Sequence, residues 1–108
     1  MDRLTAEQLL KILSQKMEWY AGYSDDSKAY FFEDTLRSRC VVTGIMNDPT
    51  QREDRSFILM QARIVDDLIV IDEDTLWDKN LWQSLVKVGV PRKQIILAYK
   101  GEQVPTPS

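Results

Sequence analysis

The chain has 108 residues, 44% of them hydrophobic and 29% charged, with 14 bases against 17 acids and a net charge of −3. That is the length and mix of one soluble globular domain able to hold a core without disulfide or metal support, and the acidic balance argues against duplex DNA as the main partner. A single cysteine, Cys40, allows no internal disulfide and fits a reducing cytoplasm, while no run reads as a signal peptide or is long enough to cross a bilayer.

The first element is a helix from Leu4 to about Tyr23. Thr5 with Gln8 makes a capping box, and Leu4 with Leu9 stands at the spacing of a hydrophobic staple. Leu9, Leu10, Leu13, Met17 and Tyr20 recur at helical spacing, with Ile12 and Trp19 widening the stripe. Gly22, Ser24, Asp25 and Asp26 end the helix in a turn.

From Lys28 to Asp72 the period is extended. Strands are expected over Ala29–Glu33, about Arg39–Met46, about Ser56–Val65 and Leu68–Ile71. The connections are the turn Asp34–Ser38, the polar loop Asn47–Asp54 and a two-residue hairpin at Asp66-Asp67, whose central residues need positive φ. Short sequential connections make this an antiparallel meander. Gly44 marks a bulge or a close backbone approach inside its strand. Phe57 to Met60 and Leu68 to Ile71 are unbroken apolar runs, so both faces of the sheet's centre need cover. Helices can cover one face. The other needs a curled half-barrel, a second copy or a partner protein.

A second helix is expected from the acidic run Asp72-Glu73-Asp74 to Val88, capped by Asp74 or Thr75, with acids favoured at its positive end. Trp77, Leu81, Leu85 and Val88 form its stripe, flanked by Trp82 and Val86. Gly89 supplies a left-handed cap and Pro91 blocks continuation, after which Ile95–Tyr99 forms a buried closing strand. The fold class is therefore α+β: helix, four-stranded antiparallel meander, second helix and short C-terminal strand. Residues 1–104 form one domain and 105–108 a proline-bearing flexible tail.

Chemistry-bearing patterns are sparse. The sequence has no histidine, the usual general base and commonest metal ligand at neutral pH. Cys40, between apolar neighbours, reads as a packed small hydrophobe, and the scattered glycines form no phosphate loop. Asp66, Asp67, Asp72, Glu73, Asp74 and Asp78 cluster without a base. Asp72 and Asp74 are the candidates for a Mg²⁺ or Ca²⁺ site and, through it, a divalent-metal hydrolase. The spacing lacks the glycine and downstream ligand of a Ca²⁺ loop, which favours turn and cap roles instead. Arg92, Lys93 and Lys100 fall in a terminal stretch of 28 residues that carries four bases and one acid. They are the candidate interaction patch, for an acidic protein or, further down, a nucleic acid.

Leu85-Val86, Gly89-Val90-Pro91 and Gln94-Ile95-Ile96-Leu97-Ala98-Tyr99 resemble the "ELV-x-x-GVP-x-x-DIVLAF" segment of the cyanobacterial XisI family, the fdxN-element excision controlling factors. Ile64 to Ile71 is similar to that family's "DI-x-DGKIWIQ" hairpin, and Asp34-Thr35 stands at its "FD-x-x-x-x-x-Y" segment. The sequence departs from the pattern at Asp67 (for Gly), Val70 (for Trp), Asp72 (for Gln) and Lys100 (for His). The resemblance implies a cytoplasmic accessory protein in excision of a DNA element by a site-specific recombinase. The resemblance places it alongside an XisH-like companion. The negative charge, the absent catalytic constellation and the doubly apolar sheet point to action through protein contacts without catalysis or cofactor, as a homo-oligomer or with that companion. Gly89 and Pro91 carry the signature, and their roles are structural.

Overall fold

The N-terminal helix starts where its capping box places it. In the computed structural model, which describes residues 3–22, 28–46, 55–76 and 80–107, α1 spans Ala6–Ala21. The Thr5 hydroxyl accepts from the Gln8 amide, and the Gln8 side chain accepts from the Thr5 amide at 2.8 Å. Leu9, Leu13, Met17 and Tyr20 form its buried stripe, each side chain worth roughly 1.5–3 kcal/mol of hydrophobic transfer. Trp19 lies outside the stripe, half exposed. Ser24, Asp25 and Asp26 of the expected turn lie outside the described residues, as do the loop Asn47–Asp54 and Trp77.

Five strands form one open sheet in the order β1-β2-β3-β4-β5: β1 Lys28–Asp34, β2 Arg39–Met46, β3 Arg55–Val65, β4 Leu68–Asp74 and β5 Ile95–Leu97. The first four make the antiparallel meander, and β5 joins β4 in parallel after the crossover through α2, Leu81–Lys87. Both helices cover one face. Their buried side chains meet Cys40, Val42, Met60, Ala62, Ile69, Ile71, Ile95 and Leu97 in one core.

The hairpin pairs Val65 with Leu68, and Asp66 alone of its two central residues takes positive φ, at 52°. Gly44 pairs with Phe57, whose ring occupies the space of the missing side chain: an added Cβ would lie 2.7 Å from Phe57 Cζ. This is the close approach expected of a strand glycine.

Two boundaries differ from the sequence reading. Asp72-Glu73-Asp74 extends β4 instead of opening α2, because Met60 and Gln61 of β3 pair with Asp74 and Glu73. The amide and hydroxyl of Thr75 then both donate to the Leu59 carbonyl, so the chain stays extended. The helix begins at Leu81 and ends at Lys87, which leaves Val86 and Val88 exposed and off the buried stripe of Leu81 and Leu85. Likewise β5 stops at Leu97, and Ala98–Lys100 forms a 3-10 turn. There the Glu102 carboxylate accepts the Leu97 amide at 2.7 Å, and the Glu102 amide donates back to the Leu97 carbonyl.

Candidate interaction surface

The sheet face away from the helices is built by alternation along β1, β2 and β3. Ala29 and Phe31 pack toward the core, so Tyr30 and Phe32 point the other way. The register sets Tyr30, Thr43 and Ile58 in one row across the strands and Phe32, Val41 and Gln61 in the next. Tyr30 is 45% exposed, Phe32 59% and Ile58 44%, large apolar groups that two rows bring together. The register shift between Val42 and Thr43 makes Leu59 the extra residue of β3. Leu59 therefore packs on the helix side although its neighbour Met60 does too, which resolves the unbroken run Phe57–Met60.

Toward β4 the same face is closed. Val65 and Val70 are buried there but lie outside the helix-side core. Arg63, directly across from Val70, donates from Nε to the Asp72 carboxylate at 3.0 Å, and both side chains are about three-quarters buried. Cover for both faces, expected of the whole sheet centre, is thus present around β4 and, among the described residues, absent over β1 to β3.

Several of the chemistry-bearing candidates are engaged, while Asp78 of the acidic cluster lies outside the described residues. Asp72 holds Arg63. Asp74 accepts the Leu81 amide at 2.8 Å and the Leu76 amide at 3.1 Å, so it caps α2 from the end of a strand. Burial pushes its carboxyl above the usual range, and the two amides oppose that shift. Among the described residues, no three or more His, Cys, Asp or Glu side chains gather as a metal site would require. Burial, with the Glu33 carboxylate nearby, pushes the Cys40 thiol up to about 12, which leaves it an inert core side chain. The basic patch is not continuous. Arg92 donates to the Ile95 carbonyl and to Glu102, and its guanidinium stacks on Trp82, while Lys93 is exposed and Lys100 lies near the Tyr99 ring.

With this geometry in place, the comparisons with known proteins decide the family. The model of the family described as XisI protein matches residues 1–106. The chain belongs to the XisI family.

Two solved structures share the fold. One is a XisI-like protein from Anabaena variabilis ATCC 29413, with 22% identity over 93% of this chain and 89% of that one and a TM-score of 0.72. The other is the fdxN element excision controlling factor XisI from the same organism, with 17% identity over 87% and 88% of the two chains and a TM-score of 0.59. A comparison with curated proteins finds no match.

In this XisI family member the signature residues do backbone work. Gly89 takes φ 111°, its amide donates to Val86 and the next amide, of Val90, to Leu85, which closes α2 in a Schellman motif. Pro91 then accepts from the Gln94 amide and starts the 3-10 turn Arg92–Gln94. Of the departures from the family pattern, Asp67 pairs with Arg3 at 2.8 Å, Val70 is buried, Asp72 pairs with Arg63 and Lys100 is exposed.

The role of one residue escaped the sequence reading. Gln94 is fully buried, and its amide group donates to the Leu4 and Asp67 carbonyls while its oxygen accepts from the Leu4 amide. It ties the N-terminus, the β3–β4 hairpin and the entry to β5 together. A glutamine beside an exposed Lys93 gives no local signal of that role.

Proposed function

We propose that this protein is a non-enzymatic, cytoplasmic accessory factor in excision of a DNA element, acting through protein contacts on the helix-free face of its sheet. The observation that carries the reading is the pair of rows holding Tyr30, Phe32 and Ile58. Large apolar side chains concentrated on one open face mark an interaction site more often than scattered ones do. Membership of the XisI family and a fold shared with a protein named as an excision controlling factor supply the context. The engaged states of Asp72, Asp74 and Arg92 and the raised pKa of Cys40 support contact rather than chemistry.

The partner is an XisH-like companion, which meets the β1–β3 surface. Co-expression with that companion, followed by affinity purification, tests the reading. Wild-type protein is expected to retain the companion, and Phe32→Lys to lose it while keeping a native circular dichroism spectrum. Leu36→Lys, at an exposed turn, is expected to bind as wild type does. Equal retention by Phe32→Lys and wild type would overturn the proposal.

A further inference from the structure

The two edges of the sheet are treated differently. At one edge β5 has three residues and runs straight into a 3-10 turn, so it offers little backbone to an incoming strand. At the other, β1 has seven residues, and among the described residues no backbone–backbone bond outside the sheet's own ladder involves it. An open edge of that length beside exposed aromatics invites another strand.

The sequence of β1, Lys-Ala-Tyr-Phe-Phe-Glu-Asp, centres its three aromatic residues on Phe31, so reversal sets aromatic against aromatic. We infer that two copies of this chain pair antiparallel along β1, about a two-fold axis at Phe31, to form one continuous ten-stranded sheet. In that register the two ends of the strand, Lys28 and Asp34, stand opposite one another. Tyr30 stands opposite Phe32, Ala29 opposite Glu33, and Phe31 opposite its own copy. Residues directly opposite share a face, so the exposed rings of Tyr30 and Phe32 from both copies meet on the helix-free side as cross-strand aromatic pairs. Both sets of helices stay on the other side.

Neighbouring registers are worse. A slip of two residues toward the C-terminus sets Glu33 against Phe31 and Asp34 against Tyr30. A slip of two the other way leaves Glu33 and Asp34 outside the paired strand. An odd slip sets core-facing residues against open-face residues. Charges at a strand edge usually repel a second strand, but the Asp34 carboxylate is neutralised within its own copy by Arg37 at 2.7 Å. This inference rests on the reading that the helix-free face is the working surface, and it names a second copy as what extends that face.

Light scattering on the purified chain over a dilution series, combined with disulfide trapping, tests it. The expected result is a concentration-dependent species of twice the 12.6 kDa chain mass, lost in Phe32→Lys. An equimolar mixture of Tyr30→Cys and Phe32→Cys is expected to cross-link under mild oxidation, whereas each variant alone is not. Buried Cys40 stays silent as an internal control. Monomer mass throughout, or a dimer whose mixed variants do not cross-link, overturns the inference. A monomer that still retains an XisH-like companion would defeat the pairing and spare the proposed function. A trapped dimer that retains none would do the reverse.

Discussion

Replacing Gln94 with Met keeps a long, unbranched side chain and removes every hydrogen bond it makes. The losses are the Leu4 amide to Oε1 at 3.0 Å and the two Nε2 donations, to Leu4 at 2.9 Å and Asp67 at 2.8 Å. At about 0.5–1.5 kcal/mol net per bond the set contributes about 1.5–4.5 kcal/mol. Leu4 is half-buried, so water recovers part of its bonding, and the expected loss is about 2–3 kcal/mol. In a domain of this size that lowers Tm by roughly 10–20 °C. Urea unfolding followed by tryptophan fluorescence reads the loss, and hydrogen exchange should show the Leu4 amide losing protection. A change below about 0.5 kcal/mol, less than one such bond, would refute the reasoning. Gln94→Glu supplies a second check. Its buried carboxylate faces two carbonyls, so its native pKa is raised; stability is highest below the unfolded carboxylate pKa and is lost as pH rises through the native value.

Three further predictions concern single residues. Gly89 has no atom within 4 Å of an added Cβ, so Gly89→Ala tests backbone strain alone and should cost about 1–2 kcal/mol in guanidinium unfolding, with Gly89→Val costing more; unchanged stability would show that the Schellman turn is not required. Gly44→Ala drives a Cβ against the Phe57 ring and should cost about 1–3 kcal/mol, part of which Phe57→Leu relieves; strict additivity in the double mutant would contradict the pairing. Asp74→Ala removes the cap of α2 and should cost about 1–2 kcal/mol. Because the native Asp74 pKa is raised, its contribution is fully present below the unfolded value and falls as pH rises through the native one; the stability difference between wild type and Asp74→Asn should shift in that sense, and a difference that rises with pH would contradict it.

What the sequence discloses and what it hides divide along local and non-local lines. The start of α1, the bounds of β2 and the stop at Gly89 depend on residues within a turn of each boundary, and all three stand where capping and turn chemistry put them. The start of α2 does not. Three acids suit a helix N-terminus and the end of a paired strand equally well, and contacts with Leu59, Met60 and Gln61 decide for the strand. Asp74 still caps α2, from farther back than sequence spacing suggests. The unbroken Phe57–Met60 run signals two covered faces, but a bulge at Leu59 accounts for part of it, and among the described residues the β1–β3 face stays open. At the C-terminus, the single acid among the bases is the one that neutralises Arg92, so the count was visible and the pairing was not.

The central claim is that contacts on the β1–β3 face, rather than catalysis, connect this chain to excision of a DNA element. Its most direct test is the yield of excised circles in cells whose own copy is replaced by wild type, by Phe32→Lys, by Asp72→Asn or by Asp74→Asn. The account predicts that Phe32→Lys matches a deletion while the two aspartate variants, with their folds verified, support excision. Full excision with Phe32→Lys, or loss confined to the aspartate variants, would contradict it.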